Sequence, residues 1–294
     1  MAITSLSNTP MAQRSKHPKA DSASIRWIIF YAILTIGAVI MLLPFAYMVG
    51  ISFTANAYIL QTPPSFIPRQ ATLQNYVDAW NFGNFAQAFF NSTIVAVCAT
   101  ILNVTLGSML SFAFGRYNFP GRNIMFYGML ATMTIPGLVL IIPQFVLASR
   151  LGLTNSRLGL IIVYSAGMAF SVFMLRGFFM EIPQELFDAA SLDGCGVFRS
   201  YWSIGIPLAR PALAAATIFA FSGSWDEFLW ALTSTNDPSQ YTLPVALQQF
   251  YVAHGASNWG IIFAGSVIAV LPIMVIFITL QRYFVSGISG ALKS

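Results

Sequence analysis

Few residues of this 294-residue sequence could carry acid–base, thiol or metal chemistry: nine carboxylates, two histidines and two cysteines. His17 and His254 lie near opposite ends of the chain, with Cys98 and Cys195 far apart between them. Neither pair has the spacing of a metal site or a disulfide framework. There is no G-x-x-x-x-G-K-[ST] run and no Gly-Lys pair to cradle a phosphate, nor a G-x-S-x-G elbow to present a nucleophile. Metal binding and intrinsic catalysis are therefore not expected. Two acidic groupings stand out instead. Glu181, Glu185, Asp188 and Asp193 fall within Gly177–Arg210, and Asp226-Glu227 follow Trp225 inside an apolar run. Carboxylates without a nearby base or nucleophile can still hold a basic group of another molecule or face a wet passage.

The pair within the apolar run needs a physical account. Two ionised acids at a bilayer centre cost about 5–7 kcal/mol on the insertion scale. From Pro211 to Asp226 an unbroken helix would climb roughly 22 Å, leaving the pair in the outer third of a core of about 30 Å. One reading is a polar site facing a pathway near an outer gate, with Glu227 favoured over Asp226. The other is a pair snorkelling at a helix end, and the residues leave both open. Trp225, Asp226 and Glu227 are the candidate pathway residues here, and Asn103 joins them from an earlier run dotted with polar groups. The same run as the acids carries Ala212, Ala216, Ala220 and Ser224 at every fourth position, a stripe that lets another helix approach closely.

The other grouping reads EIPQELFDAASLDGCGVFRSYWSIGIPLARP from Glu181 to Pro211. Pro183 suits a helix start, where its missing N–H is no loss. Glu185 and Asp188 then occupy the first turns, where the helix dipole favours negative charge. Ala189 and Ala190 are small enough for close approach, and Gly194 and Gly196 can end the helix with positive φ. A second short segment, Val197–Ile206, is expected to end at Pro207. Such a helix–turn–helix either lies on a lipid surface or forms a knob for a partner.

The elements that must hold these groups are membrane helices. Charged residues make up 8% of the chain, against about 25% in a soluble domain, while 57% is hydrophobic. A net charge of +5 spread over such a chain makes no basic patch, so no nucleic acid is expected as a partner. Six stretches meet the length of about 20 apolar residues that a span requires: about 27–51, 88–114, 124–148, 158–175, 211–232 and 260–280. The first is too long for a signal peptide's apolar core of about 7–15 residues. Pro136 and Pro143 permit kinks in the third. With the N-terminus inside, eleven Lys/Arg lie in cytoplasmic segments and three outside, which places both termini in the cytoplasm. The expected organisation is an N-terminal tail (1–24), an all-α six-span domain (25–284) with an inner loop at 181–210, and a C-terminal tail (285–294).

The inner loop resembles the EAA motif of ABC-importer permeases: Glu-Ala-Ala, three residues, Gly, nine residues, Ile-x-Leu-Pro. Asp188-Ala189-Ala190 is followed by three residues and Gly194, then by nine residues and Ile204-Gly205-Ile206-Pro207. Asp188 stands for the usual Glu and Ile206 for the usual Leu. Trp225 to Trp230 is similar to the Trp-Asn-Glu-Phe-Leu block of carbohydrate-type permeases, with Asp226 where Asn is usual. Tyr241-Thr242-Leu243-Pro244 and Gln281-Arg282-Tyr283-Phe284 match the same group, maltose-type importers.

The resemblance implies a type I ABC-importer permease in a prokaryotic plasma (inner) membrane. Its partners would be a second permease subunit, two ATPase subunits that use ATP and Mg, and an extracytoplasmic solute-binding protein, with no cofactor on this chain. It implies that Glu185, Asp188, Ala189, Ala190, Asp193 and Gly194 belong to the ATPase-docking loop, which Ile204 and Pro207 hold against the bundle. It also implies that residues 287–294 insert between the ATPases and that the outer loop 233–259 meets the binding protein. The solute would be a sugar, polyol or glycerol-phosphate. A self-contained secondary transporter or channel is the alternative, and it would need a charged site near mid-membrane that the first three runs lack.

Overall fold

The computed structural model describes residues 21–55, 59, 66–68, 70–254 and 258–291. Residues 1–20 of the expected N-terminal tail, 255–257 of the outer loop and 292–294 of the expected C-terminal tail lie outside the described residues. The chain falls into two units, residues 1–47 and 48–294. The described part of the first is a single helix, α1 (Asp21–Ser52), which ends in the second. Its side chains are exposed from Arg26 to Ala46, including Trp27, Ile28, Tyr31, Ile36, Met41 and Phe45. A helix apolar on every side is the form of a lipid-facing span.

The second unit is helical, and the one β-type pairing among its described residues is an isolated bridge between Thr54 and Ala71. In chain order its helices are α2 (Gln74–Asn81), α3 (Phe85–Arg116), α4 (Arg122–Thr132), α5 (Gly137–Arg150), α6 (Arg157–Ala166), α7 (Ala169–Glu181) and α8 (Gln184–Leu192). There follow α9 (Val197–Ser200), a π turn (Tyr201–Gly205), α10 (Ile206–Leu208), α11 (Arg210–Trp225), α12 (Leu229–Ser234), α13 (Leu243–His254) and α14 (Trp259–Ala291). The last runs past the tail boundary expected at 284.

α3 is the central post, packed along α6, α7 and α11. Its polar residues are used inward, which is why a span can carry so many. Asn91 Nδ2 donates to the carbonyls of Ser239 (2.8 Å) and Tyr241 (3.0 Å), and Ser92 Oγ accepts the Leu243 N–H (2.7 Å). Ser108 and Tyr201 share a hydroxyl–hydroxyl bond of 2.7 Å, and Ser111 Oγ donates to the Val172 carbonyl. Elsewhere along its length α3 shows Phe90, Ile94, Ile101 and Leu106 to the surroundings.

Among the described residues three unbroken helices are long and apolar enough to span: Arg26–Ser52, Phe85–Arg116 and Trp259–Tyr283. Two of the other expected spans, 124–148 and 158–175, are bent pairs, and a third bent pair joins Val197–Leu208 to Arg210–Trp225, so the total is six only if each pair counts as one crossing. The run at 124–148 is broken between α4 and α5 by 100°, far beyond a kink. Pro136 stands at the N-cap of α5 with ψ 128°, so the helix restarts there instead of bending through, whereas Pro143 lies inside α5. The run at 158–175 breaks by 44° between α6 and α7 and continues to Glu181. The run at 211–232 is also discontinuous: α11 ends at Trp225, three non-helical residues follow, and α12 begins at Leu229.

Pro207 does not end the second segment of the inner loop. It lies inside α10, and the chain turns by 82° after it, at Ala209, into α11. A buried cluster of Phe112, Leu175, Phe179, Phe187 and Tyr201, with Ala209, Ala212 and Ala216, pins this corner. Gly205 is part of that fit, since a Cβ there would meet Phe112 at 3.1 Å and Phe179 at 3.4 Å. Gly205→Leu is expected to destabilise the chain by about 1–3 kcal/mol through overpacking. Thermal unfolding in detergent checks this, and an unchanged midpoint would mean that the cluster yields freely.

Candidate functional site

The inner loop is built as a knob with a fixed rear and an open front. Pro183 takes the N-cap position of α8, and Glu185 lies in its first turn. The helix ends in a Schellman turn: the Gly194 N–H reaches the Ser191 carbonyl (3.1 Å) and the Cys195 N–H the Ala190 carbonyl (2.9 Å). Gly194 has φ +78°, as expected, whereas Gly196 is extended at φ −73° and needs no glycine freedom. Glu185, Asp188, Ala189, Asp193 and Gly194 are all exposed. Ala190 is not. It is buried at 8% exposure, so only one member of the alanine pair faces outward. On the rear, Phe187 and Ile204 pack into the aromatic cluster, and Pro207 is half-buried.

One residue that fixes the knob was not a sequence candidate. Arg116, the last residue of α3, donates through Nη1 to the carbonyls of Phe179 (3.1 Å) and Ile182 (2.8 Å). Its guanidinium lies 4.2 Å from the centre of the Phe187 ring. Through Nη2 it reaches Gln184 Oε1 (2.8 Å), and Gln184 Nε2 donates to Asp188 Oδ1 (3.0 Å). The free carbonyls at the C-terminus of α7 attract a cation for the usual dipolar reason. A single planar fork thus ties α3, α7 and α8 together and stops one side chain short of Asp188. The only sequence signal was a basic residue closing a long apolar run.

The second candidate grouping divides. Trp225 is 2% exposed and packs on Phe221 and Phe89, and its indole N–H donates to the Ala269 carbonyl on α14 (3.0 Å). That gives it a packing role against α14, and it is not among the residues that line the cleft beside Glu227. Asp226 is exposed. Glu227 is half-buried, and its carboxylate accepts the Trp230 N–H (2.9 Å), the Ala231 N–H (3.2 Å) and the Tyr164 hydroxyl (2.8 Å). It therefore caps α12 and crosses to α6. The cap lies outside both expectations for Glu227, because it depends on a break that the apolar run does not show.

Glu227 and Asn103 nevertheless line one cleft of about 300 Å³, together with Tyr164, Ser171, Phe219 and Ser224. Asn103 stands near the middle of α3, about 27 Å from its start and about 20 Å from its end at 1.5 Å per residue. Its Oδ1 accepts from Ser171 Oγ (2.7 Å) and its Nδ2 reaches the Ser165 carbonyl (3.4 Å), so it braces the break between α6 and α7. The small-residue stripe of α11 divides as well. Ala212 and Ala216 are packed in the corner cluster, while Ala220 and Ser224 open on the cleft. Among the described residues no group of His, Cys, Asp or Glu could hold a metal ion.

Residues 103–290 match the family model described as binding-protein-dependent transport system inner membrane component. The chain is 34% identical over 263 residues to the diacetylchitobiose uptake system permease protein NgcG of Streptomyces coelicolor, covering 89% of this chain and 87% of the relative. It is 29% identical over 273 residues to the sn-glycerol-3-phosphate transport system permease protein UgpE of Yersinia enterocolitica, covering 90% and 97%. Its fold matches a chain in the crystal structure of a bacterial ABC transporter involved in the import of the acidic polysaccharide alginate. That match has a TM-score of 0.80 over 91% of this chain and 99% of that one, at 23% identity. The type I ABC-importer permease fold expected from the EAA-like loop is thus the fold found. This chain belongs to the family of binding-protein-dependent transport system inner membrane components, and it is a permease, a transport subunit rather than an enzyme.

Proposed function

We propose that this permease forms half of the pathway of an ATP-driven importer for a sugar or a related polyol or glycosidic solute. Its inner loop docks on a partner ATPase. The observation that carries the reading is the knob itself: a short helix with Asp188, Ala189 and Gly194 outward and its rear locked to three helices of the bundle. A rigid protrusion transmits the motion of a groove that grips it, and rotation of packed domains then switches access from one side to the other. ATP and Mg are used by the ATPase subunits, and this chain binds neither. A second permease subunit completes the pathway and covers apolar surface such as Leu138, Val139 and Ile142 on α5. An extracytoplasmic binding protein delivers the solute. The bias of eleven Lys/Arg against three supports a cytoplasmic knob and cytoplasmic termini in a prokaryotic inner membrane.

Reconstitution of the complete complex with its binding protein tests this: one or more saccharides should stimulate ATP hydrolysis across a solute panel. Accumulation of solute by vesicles holding this chain alone would overturn it in favour of a self-contained transporter. Gly194→Val gives a narrower test. A Cβ there meets no atom within 4 Å, so the substitution acts through its φ of +78°. For a β-branched residue that conformation is a true outlier, at roughly 1–3 kcal/mol. The turn is expected to open and co-purification of the ATPases to fall at least fivefold, while insertion persists. Undiminished co-purification would show that docking tolerates a loosened turn.

A further inference from the structure

The cleft shared by Asn103 and Glu227 has a chemistry of its own. It lies where two helices are interrupted, at the break between α6 and α7 and at the non-helical residues between α11 and α12. Irregular backbone at membrane depth persists where protein buries it or where it lines a cavity. Here the interruptions meet at an open one. Phe170 and Phe219 stand at its side, edge to face with centroids 5.3 Å apart, and offer apolar surface.

The hydrogen-bond inventory is lopsided. The Tyr164 hydroxyl donates to Glu227, Ser171 Oγ to Asn103, and Ser224 Oγ to the Ala220 carbonyl. Apart from the second amide hydrogen of Asn103, the side-chain donors around the cleft are already committed within the protein. What stays open is acceptor capacity on the hydroxyl oxygens and on the Glu227 carboxylate, which has two oxygens and about four lone-pair sites for three bonds. That carboxylate cannot swing away, because the start of α12 and Tyr164 hold it. No lysine or arginine lines the cleft.

We infer that this cleft is a solute-contact site that accepts an uncharged, hydroxyl-rich solute, a neutral saccharide, and disfavours an anionic one such as a uronate or a phosphorylated polyol. The inference rests on the importer reading. A neutral sugar brings hydroxyl donors to unfilled acceptors and carbon faces to the phenylalanines. A uronate or phosphorylated polyol also carries hydroxyls, but its charged group brings only acceptors and sets a second negative charge beside a fixed carboxylate. The volume of about 300 Å³ lies at the low end for small-molecule sites, about 300–1,000 Å³, and suits one residue of a saccharide at a time.

Gly223 is the natural probe, since it lines the cleft, is exposed, and a Cβ there meets nothing within 4 Å. In the full complex in lipid nanodiscs, with Cys98, Cys195 and the partners' cysteines replaced by serine, Gly223→Cys is labelled with cationic and with anionic methanethiosulfonates. The expected cation-to-anion rate ratio is at least tenfold above that of free cysteine, and Glu227→Gln lowers it at least fivefold. A neutral saccharide taken up by the complex should slow labelling, and its uronate counterpart at the same concentration should not. If Glu227→Gln prevents assembly, the ratio is read at Gly223→Cys and Ser224→Cys with Glu227 intact, against free cysteine. A ratio at the free-cysteine value, equal protection by the uronate, or no protection by any saccharide overturns the proposal. The labelling ratio needs neither ATP nor transport, so loss of ATP-driven uptake alone would count against the importer reading and leave the ratio standing.

Discussion

Asp188→Arg is expected to abolish solute-stimulated ATP hydrolysis, with a loss of at least 100-fold, while the subunit still inserts and folds. Asp188 is exposed in the middle of α8, and its carboxylate is held only by Gln184 at 3.0 Å. Nothing in the aromatic cluster behind the knob depends on it, so the reversal spares the fold. At a docking surface the same change sets a cation against the basic group that the carboxylate is proposed to meet. Breaking one partner of a buried charge pair costs about 2–5 kcal/mol, or roughly 30-fold to several thousand-fold in affinity. The new arginine would also stand near the Arg116 guanidinium, whose field Asp188 already reaches. Asp188→Glu, which restores the residue usual in the motif, is expected to keep or raise stimulation because its carboxylate reaches one methylene further. ATPase assays with and without solute, beside co-purification of the ATPase subunits, check both variants. Unchanged coupling in Asp188→Arg would remove the anion from the docking contact.

Local sequence foretold local structure well and tertiary structure poorly. The turn at Gly194 was legible because a Schellman ending depends on one residue's φ, and glycine announces it. The membrane-like runs were legible because apolar content reports the surroundings of a segment. Apolar content does not report helical continuity, and that is where expectation and structure part. The runs at 124–148, 158–175 and 211–232 each contain a break whose cost is met by contacts from elsewhere, such as Asn103 bracing the α6–α7 interruption. Glu227 could be singled out as an acid in an apolar setting, but its service as the cap of α12 could not, since α12 was hidden in a run read as one helix. Trp225 belongs to the same motif block as Glu227, yet it packs on α14. Two residues apart, across the end of α11, they face different neighbours, and motif membership alone does not separate packing from contact with solute.

Arg116→Ala is expected to uncouple the importer nearly as fully as the Asp188 reversal, by a different route. Arg116 makes two hydrogen bonds to carbonyls at the end of α7, one to Gln184, and a cation–ring contact with Phe187. Charge-assisted bonds contribute about 1.5–3 kcal/mol each and the ring contact about 0.5–1 kcal/mol. Their loss, softened by water reaching the freed carbonyls, should cost the corner about 3–5 kcal/mol in rigidity. Most of the bundle lies on other contacts, since α3 also packs on α6 and α11, so insertion is expected to survive. The knob would then hang on the aromatic cluster alone, and a lever with a soft root turns without moving its load. Solute-stimulated ATP hydrolysis should fall at least tenfold, with the ATPases still co-purifying and basal hydrolysis retained. Arg116→Lys, which keeps the charge but not the fork, should recover part of the coupling. Gln184→Ala, which cuts only the link to Asp188, should cost less than Arg116→Ala. If Arg116→Ala leaves stimulation intact, stiffness at the root of the knob is not what carries the stroke. If it removes the ATPases from the complex, Arg116 shapes the docking surface rather than its transmission.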